Sequence, residues 1–224
     1  MMSEGRAISW LALLPQDRTK PRSRAQTSRM STLATERLFL RSFRRGDVKE
    51  FARLAGDWSV ASMTSDIPHP LTEAQAMAWL KPARGEVRFA IELEGRLIGG
   101  VGFYRRRSGA AELGFWLGRE WWGCGYATEA ARAVVRLGFE ARRLPGFTSS
   151  HFVDNHASAG VLRKLGFEPV GRGRIGCAAR GCEVEAMTYW LPRQRAALGQ
   201  PGTVATPATP RWRAWLSRLA GRPA

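Results

Sequence analysis

Cysteine and histidine are both scarce in this chain, which limits the covalent and metal chemistry open to it. Three cysteines are an odd number and supply no complete set of disulfides. This usage suits a reducing compartment, so we expect a cytoplasmic protein. Cys177 and Cys182 have no histidine near them, and the three histidines do not fall at metal-ligand spacing. The sequence therefore predicts no metal site.

Long apolar runs are also missing. No segment approaches the roughly 20 consecutive apolar residues that a membrane-spanning helix requires. The short apolar run at residues 8–14 follows Glu4 and Arg6, and several arginines come after it instead of a small-residue cleavage site. We therefore expect neither a transmembrane segment nor a signal peptide.

Acidic residues are too few to balance the basic ones, and much of the excess lies at the two ends. The chain has 19 Asp and Glu against 35 Lys and Arg, a net charge of +16. Residues 1–30 hold six basic and two acidic groups, and residues 193–224 hold six basic groups and no acidic one. We interpret residues 1–30 as a disordered basic extension and residues 193–224 as a basic Pro-rich tail with a short amphipathic helix at 211–219.

Residues 31–192 show the periodicity of one folded domain. Alternating apolar residues predict strands, and apolar residues three and four apart predict helices that begin near Asp47, Thr72, Tyr126 and Asn155. The predicted strands cover residues 35–43, 87–93, 97–104, 111–117, 147–153, 171–178 and 183–191, and residues 56–71 are predicted to form an irregular loop. This order predicts a mixed α/β (α+β) domain around one central sheet.

A glycine-rich turn between the strand at 111–117 and the following helix is the most informative segment. Glycine lets a ligand approach the backbone, and the first turn of a helix offers unpaired N–H groups to an anion. The turn lacks the Lys-Ser/Thr pair of a Walker loop. A dinucleotide fingerprint would need Gly or Ala in place of Thr128 and an acidic residue at a strand end, whereas Glu140 falls on the helix. A tight turn without a ligand remains an alternative.

Two motifs carry a resemblance to a known family. Trp122, Gly125 and Ala127 occupy the positions of the pyrophosphate loop of the GNAT superfamily of N-acetyltransferases, although that loop usually begins with Gln or Arg. The segment Trp-Gly-x-Gly-Tyr-Ala-Thr-Glu-Ala resembles the corresponding sequence of the ribosomal-protein-alanine acetyltransferase branch. Asn155-x-x-Ser158, followed by the segment at 162–168, is typical of the same branch. The element order is similar to that of the family across residues 33–192.

The resemblance implies a fold, a reaction and a set of contacts. The fold would be a single mixed, mostly antiparallel central sheet flanked by helices, and the reaction a direct transfer of acetyl from acetyl-CoA to a primary amine. The N–H of Leu117 would face the thioester carbonyl, Asn155 would bond the pantetheine arm, and Ser158 would stabilise the leaving thiolate. The diphosphate would be held by the main chain of Trp122, Gly123, Cys124, Gly125, Tyr126 and Ala127.

Glu112 is the candidate general base, because it lies mid-strand on the face opposite Leu113 and Leu117. A base of this kind contributes on the order of 10²–10⁴ in rate. The alternative is that Glu112 pairs with an arginine such as Arg105 or Arg119. Alternatives also stay open for the downstream pair, with Asn155 as a helix N-cap and Ser158 as an ordinary serine of the first helical turn.

Other side chains receive simpler interpretations. His69 borders the expected acceptor site and could orient an amine, whereas His151 is interpreted as packed within a strand. The tryptophans at 58, 79, 121 and 122 are expected to serve packing.

The acceptor itself has no clear signature in the sequence. A protein N-terminus and a small-molecule amine both fit the resemblance. The alternative function is a basic RNA- or ribosome-associated protein that binds weakly through its Arg-rich tails. Trp212 and Trp215 with their flanking arginines add the alternative of attachment to a membrane surface.

Overall fold

The computed structural model of the protein describes residues 32–81, 85–106 and 109–193. Within these ranges eight strands form one sheet in the order β1-β2-β3-β4-β5-β6-β8-β7. Two short 3-10 turns, Arg45–Asp47 and Arg119–Trp121, precede α1 and α4. In chain order the elements are β1 Thr32–Ala34, β2 Phe39–Arg41, α1 Val48–Ala55, α2 Trp58–Ala61, α3 Glu73–Leu80, β3 Glu86–Leu93, β4 Arg96–Arg105, β5 Ala111–Leu117, α4 Tyr126–Glu140, β6 Gly146–Phe152, α5 His156–Lys164, β7 Glu168–Cys177 and β8 Cys182–Pro192.

The predicted sheet, single, mixed and mostly antiparallel, is confirmed. The strands pair antiparallel except for β5 and β6, which run parallel. That parallel pairing joins only Ala111 to Phe147 and Glu112 to Thr148. One further link, from Ser149 Oγ to the carbonyl oxygen of Leu113 at 3.0 Å, lies beyond it. The two strands then separate, which leaves a gap in the middle of the sheet.

Helices cover both faces of the sheet and bury two apolar clusters. Leu113 and Leu117 of β5 pack in the larger cluster with Val134 of α4. Trp116 points to the other face and packs in a second cluster with Phe51 of α1. The alternation predicted for β5 is therefore confirmed, since successive side chains of a strand point to opposite faces. The second face is buried at Trp116 and only partly buried at Glu112 and Gly114.

The strand predicted at residues 35–43 is confirmed only at β2, Phe39–Arg41, because residues 35–38 form the turn that separates β1 from β2. The N–H of Thr35 donates to the carbonyl oxygen of Leu38, and the N–H of Leu38 donates to Thr35 Oγ1. The N–H of Arg37 donates to Glu129 Oε1. Side chains thus satisfy backbone groups that a continuous strand would pair with a neighbour.

Local hydrogen bonds also change the start of α1 and the loop after it. Asp47 occupies the N-cap position of α1 as predicted, but its carboxylate makes no cap bond to the helix. It accepts from the N–H of Arg44 at 2.7 Å and pairs with the buried Arg41. The predicted loop at 56–71 contains α2, whose cap is Asp57. The predicted start of α3 is confirmed, because Thr72 and Gln75 form a capping box.

The closing strands are slightly longer than predicted, since β7 begins at Glu168 and β8 runs to Pro192. No helix in the part of the chain that the structure describes is long and apolar enough to cross a membrane. The extension at 1–30 and the helix expected at 211–219 lie outside the described residues.

Candidate active site

The glycine turn after β5 has the backbone that an anion cradle requires. Gly123 and Gly125 have φ angles of +79° and +82°, a region that residues with a Cβ rarely adopt. The first bond of α4 runs from the N–H of Glu129 to the carbonyl oxygen of Gly125 at 3.1 Å. The N–H groups of the residues between them therefore precede the helical ladder and point out of the helix end. The positive end of the helix dipole adds to their attraction for an anion.

The turn between β1 and β2 holds this helix end in place, a contact with no marker in the sequence pattern. Glu129 accepts from Thr35 Oγ1 at 2.6 Å and from Arg37 Nε at 2.7 Å. Arg37 Nη1 also donates to the carbonyl oxygen of Cys124 at 3.0 Å, and the guanidinium lies over the ring of Tyr126. Burial raises the pKa of Glu129, but the hydrogen bonds from Thr35 and Arg37 outweigh it, so the pKa is lowered. Glu129 therefore stays ionised as the anchor of the turn.

A cavity of about 320 Å³, which we call the helix-end cavity, opens between this turn, the end of β5 and the start of α5. Most of the residues predicted to hold the coenzyme line it. Cys124 is the exception, because its exposed thiol is not part of the wall and its carbonyl oxygen bonds Arg37. The predicted residues in the wall are Leu117, Trp122, Gly123, Gly125, Tyr126, Ala127, Asn155 and Ser158.

The backbone of Leu117 faces the gap between β5 and β6. The N–H of Gly118 donates to the carbonyl oxygen of Ile98 on β4, while Leu117 lies opposite Gly99. Hydrogen-bonded and non-bonded pairs alternate along an antiparallel ladder, so the N–H and C=O of Leu117 point away from β4. The carbonyl oxygen of Leu117 accepts from the indole of Trp122 at 2.8 Å. The N–H of Leu117 therefore points toward the side from which β6 has departed, as the predicted contact requires.

The tryptophans divide between packing and exposure. Trp79 and Trp121 pack against the buried clusters as predicted. Trp58 and Trp122 are 51% and 42% exposed, so the packing expectation is wrong for both. The bond from Trp122 to Leu117 instead ties the glycine turn to the end of β5.

A second cavity of about 350 Å³, the sheet-face cavity, lies over β4 and β5. Gly100, Gly102 and Gly114 line it, and a Cβ at Gly100 or Gly102 would collide with the indole of Trp116 or the carbonyl oxygen of Val87. The two cavities share part of their walls, which we call the junction. The junction residues are Met63, Thr64, Phe115, Trp116, Asn155 and Ser158.

Glu112 lines the sheet-face cavity and takes part in an ion pair. Its Oε2 accepts from Arg106 Nε at 2.9 Å, from a second nitrogen of the same guanidinium, and from the hydroxyl of Tyr104. The predicted pairing with an arginine is thus present, but the partner is Arg106 and not Arg105 or Arg119. Burial, together with the charge of Glu112, raises the pKa of Tyr104, which keeps the phenol protonated as a donor.

Asn155 and Ser158 lie together at the start of α5. Asn155 Oδ1 accepts from the N–H of Ser158 at 3.0 Å, so Asn155 is the N-cap of α5, as one alternative predicted. A cap oxygen engaged in this way leaves the amide nitrogen of Asn155 to donate into the helix-end cavity. The predicted contact with the pantetheine arm stays a prediction, as does the role of the Ser158 hydroxyl.

Asp66 is a cavity residue that the sequence pattern did not indicate. It is 7% exposed and lines the sheet-face cavity. Ser65 Oγ donates to its Oδ1 at 3.3 Å, but its Oδ2 is buried without a hydrogen-bond partner. Burial raises the pKa of Asp66 to about 6, and the nearby Trp79 and Arg88 offset this rise only in part. Asp66 lies in a loop without helical or strand periodicity, so the sequence pattern could not predict that its side chain is buried in a cavity.

The structure gives no support to a catalytic role for His69 and confirms that His151 is packed. His69 is exposed, its Nδ1 lies 2.7 Å from the carbonyl oxygen of Gly56, and it is not among the residues that line either cavity. The proposal that it orients an amine therefore gains no support. His151 is buried as predicted, with its two ring nitrogens next to the carbonyl oxygen of Phe152 and the hydroxyl of Tyr189. Among the described residues no group of three or more His, Cys, Asp or Glu side chains could hold a metal ion.

Comparison with known proteins decides the family. The model of the family described as "Acetyltransferase (GNAT) domain" matches residues 37–168, which is more than half of the chain. The chain belongs to the GNAT acetyltransferase family. It is 30% identical over 173 residues to the uncharacterized N-acetyltransferase YoaA of Bacillus subtilis, an alignment that covers 73% of this chain and 97% of that protein. This GNAT protein is accordingly an enzyme of the acetyltransferase class.

Solved structures show the same fold. Mycobacterium smegmatis RimJ in complex with CoA-disulfide superposes with a TM-score of 0.63 at 19% identity, over 73% of this chain and 84% of that one. RimL, described as a ribosomal L7/L12 alpha-N-protein acetyltransferase in complex with coenzyme A, gives a TM-score of 0.62 at 17% identity, over 72% and 97% of the two chains. The gap between β5 and β6 and the helix-end cavity thus lie within a GNAT fold.

Proposed function

We propose that this GNAT enzyme transfers an acetyl group from acetyl-CoA to a primary amine by direct attack of the amine on the thioester. The observation that carries the proposal is the junction. Two cavities meet at Phe115, Asn155 and Ser158, where β5 and β6 have separated. One cavity ends in a helix N-terminus and the other contains carboxylates. A donor and an acceptor that enter from the two cavities would therefore meet at one point.

The helix-end cavity fits the coenzyme. The N–H groups at the start of α4 and the exposed backbone of Gly123 and Gly125 suit a diphosphate. Asn155 would donate from its amide nitrogen to the pantetheine arm, and the N–H of Leu117 would polarise the thioester carbonyl. The coenzyme supplies an activated acetyl group. RimJ and RimL, which share this fold, were solved with coenzyme A derivatives, and this supports the assignment.

The sheet-face cavity would hold the acceptor. Glu112 would take a proton from the amine, directly or through water, and Oε1 is the atom in question because Arg106 and Tyr104 occupy Oε2. The amine must be neutral when it attacks. The name of RimL supports a protein N-terminus as one acceptor, and small amines remain equally compatible with a cavity of about 350 Å³.

Free thiol released from acetyl-CoA, measured across a panel of small amines and N-terminal peptides, tests the proposed reaction. We expect acetyl-dependent thiol release with at least one primary amine and a mass increase of one acetyl group on that amine. Absence of thiol release with every amine of the panel, from protein that binds acetyl-CoA, would contradict the proposal.

Glu112→Gln should lower turnover by roughly 100-fold or more near neutral pH and leave the affinity for acetyl-CoA unchanged. The substitution removes the proton acceptor and keeps the shape of the side chain. Glu86→Gln is the matched control, because Glu86 forms a similar ion pair with Arg88 in the wall of the same cavity. Steady-state kinetics over a pH series measures both variants. Equal losses for the two would assign Glu112 a structural role only.

Ser158→Ala should lower kcat by roughly 10- to 150-fold with little change in the Michaelis constant for the coenzyme. The Ser158 hydroxyl would donate a hydrogen bond to the coenzyme sulfur. Negative charge develops on that sulfur only as the thioester bond breaks, so the lost hydrogen bond weakens the transition state more than the bound coenzyme. Asn155→Ala should instead weaken coenzyme binding, and loss of the cap should also destabilise the protein by about 0.5–2 kcal/mol.

The capping role of Asn155 needs its own control. Thr72 caps α3 and does not line the helix-end cavity, so Thr72→Ala removes a cap without removing a coenzyme contact. Thermal unfolding and steady-state kinetics on all three variants separate the effects. If Thr72→Ala weakens coenzyme binding as much as Asn155→Ala does, the contact proposed for Asn155 is contradicted.

A further inference from the structure

The charged side chains that line the sheet-face cavity form ion pairs, with one exception. Glu86 pairs with Arg88 and Glu112 pairs with Arg106. Arg174 at the rim pairs with Glu183. Asp66 lines the same cavity, and among the described residues no salt bridge joins it to a cation. Arg88 lowers the pKa of Asp66 but is bonded to Glu86, so the burial of the Asp66 carboxylate is only partly compensated.

Two indole groups lie in the wall of the same cavity as this carboxylate. Asp66 Oδ2 and the indole nitrogens of Trp79 and Trp116 are buried and make no hydrogen bond of normal geometry among the described residues, although the indole of Trp79 is close enough to Asp66 to lower the pKa of its carboxyl group. All three residues line the sheet-face cavity. A Cβ at Gly100 would lie 2.6 Å from the indole nitrogen of Trp116, so this glycine is what lets that nitrogen lie at the floor of the cavity. Buried polar groups are nearly always paired in native proteins, so Asp66 and the indole of Trp116 are left to pair with a molecule that enters the cavity.

A cation that pairs with Asp66 is not the amine that reacts. An attacking amine must lose its charge before it forms the new bond, so it cannot remain the counter-ion of Asp66. Asp66 also lies outside the junction, since it lines the sheet-face cavity and not the helix-end cavity. It follows Thr64 of the junction by two residues, which limits the distance between their Cα atoms to about 7 Å. The charge of Asp66 is therefore close to the point of reaction without being part of it.

We propose that Asp66, Trp79 and Trp116 form a subsite for a second, positively charged group of the acceptor. The acceptor class is then an amine with another ammonium or guanidinium group a few bonds from the nitrogen that is acetylated. Such a molecule is either a small diamine or a peptide N-terminus with a basic second residue. The indole N–H groups would bond a carbonyl or hydroxyl oxygen of the same molecule. This inference rests on the proposed amine acetylation and names its substrate class.

Calorimetric binding of two matched amines to the protein with coenzyme A tests the subsite. We expect the wild type to bind diaminobutane about 10- to 150-fold more tightly than n-butylamine, because the diamine can place one ammonium group on Asp66 while its other nitrogen lies at the junction, whereas n-butylamine has one nitrogen for both positions. Asp66→Asn should remove this preference and leave the affinity for coenzyme A unchanged. Glu73→Gln is the control for net charge, because Glu73 is an exposed carboxylate at the start of α3. It should keep the preference.

A second pair of ligands distinguishes the two sources of the same chemistry. The tripeptides Ser-Lys-Ala and Ser-Leu-Ala differ in the charge of the second residue. A preference for the lysine peptide that depends on Asp66, without one for diaminobutane, would assign the subsite to protein N-termini. The reverse pattern would assign it to small diamines. Asp66→Ser, a second neutral variant, should reproduce the result of Asp66→Asn if the loss of charge is the cause.

Two outcomes would overturn the subsite. One is a wild type that binds neither the diamine nor the lysine peptide more tightly than the matched ligand with one fewer positive charge. The other is a preference that survives in both neutral variants of Asp66. Because binding needs no turnover, an Asp66-dependent preference with no acetylation of any amine would contradict the proposed reaction and leave the subsite standing.

Discussion

Gly125→Asp is expected to weaken acetyl-CoA binding by more than about 100-fold. The substitution places a carboxylate at the N-cap of α4, where the diphosphate should bind. Several helix-terminus interactions of about 0.3–2 kcal/mol each would be lost or reversed. A total of about 3 kcal/mol corresponds to roughly 150-fold in affinity. Calorimetric titration with acetyl-CoA measures the loss, and circular dichroism checks that the fold is retained.

Backbone strain must be separated from charge in this experiment. Gly95, in the hairpin between β3 and β4, has the same φ of +82° as Gly125 and nothing within 4 Å of an added Cβ. Gly95→Asp therefore introduces the same strain, about 1–2 kcal/mol, away from both cavities. It should lower the melting temperature and leave acetyl-CoA affinity intact. Gly125→Asn should bind acetyl-CoA more weakly than wild type but more tightly than Gly125→Asp. Wild-type affinity in folded Gly125→Asp would rule out the cradle.

The order of the elements and the glycine turn could be predicted because both depend on local pattern. Strand alternation and helical spacing mark the elements, and Gly123 and Gly125 adopt backbone angles that few other residues tolerate. The turn that splits β1 from β2 was missed for the opposite reason. The hydroxyl of Thr35 and the N–H of Arg37 in this turn donate to Glu129, a residue more than ninety positions away. No local sequence pattern indicates such a contact.

Side-chain partners within the site were predicted less well than positions. Glu112 was placed on the correct face of β5, but its partner proved to be Arg106 instead of Arg105 or Arg119. Neighbouring residues of an extended chain point in opposite directions, so a shift of one position decides which arginine reaches the carboxylate. The sequence placed Asp66 only within the irregular loop at 56–71, without a role of its own. Its chemistry comes from burial among Trp79, Trp116 and Arg88, which only the folded chain brings together.

Asp66 also makes the stability of the protein depend on pH in an unusual direction. Its pKa rises from an ordinary value of 3.8 to about 6 in the folded protein, mainly through burial. Between about pH 4 and pH 6 the folded state therefore binds more protons at this site than the unfolded state, and the free energy of unfolding falls as the pH rises. The loss is complete above that range and amounts to about 3 kcal/mol. Arg88 of β3 lowers this pKa only in part, because its guanidinium also pairs with Glu86.

Other carboxylates of the protein change the free energy of unfolding with pH in the opposite direction. The pKa values of Glu50 and Glu129 are lowered by hydrogen bonds from Arg53 and from Thr35 and Arg37, which outweigh burial. These groups contribute stability above their ordinary pKa, and that stability is lost as the pH falls. A pH profile of the wild type alone would mix the two effects. The difference between wild type and a variant of Asp66 cancels the shared groups and isolates this one site.

Asp66→Asn is therefore expected to stabilise the protein without ligand at neutral pH. The variant removes a charge that is costly to bury, although the new amide also lacks a full set of partners, so the net gain should be about 1–2 kcal/mol. That gain corresponds to a rise of roughly 2–8 °C in the melting temperature. Near pH 4 the advantage should vanish, because Asp66 is then protonated in the folded wild type. Thermal unfolding of both proteins across this range measures the difference. A variant less stable than wild type at neutral pH would show that Asp66 has a partner in the folded protein. If the gain is found, the protein retains at Asp66 a charge that lowers its own stability, and a cationic ligand bound there would recover the loss.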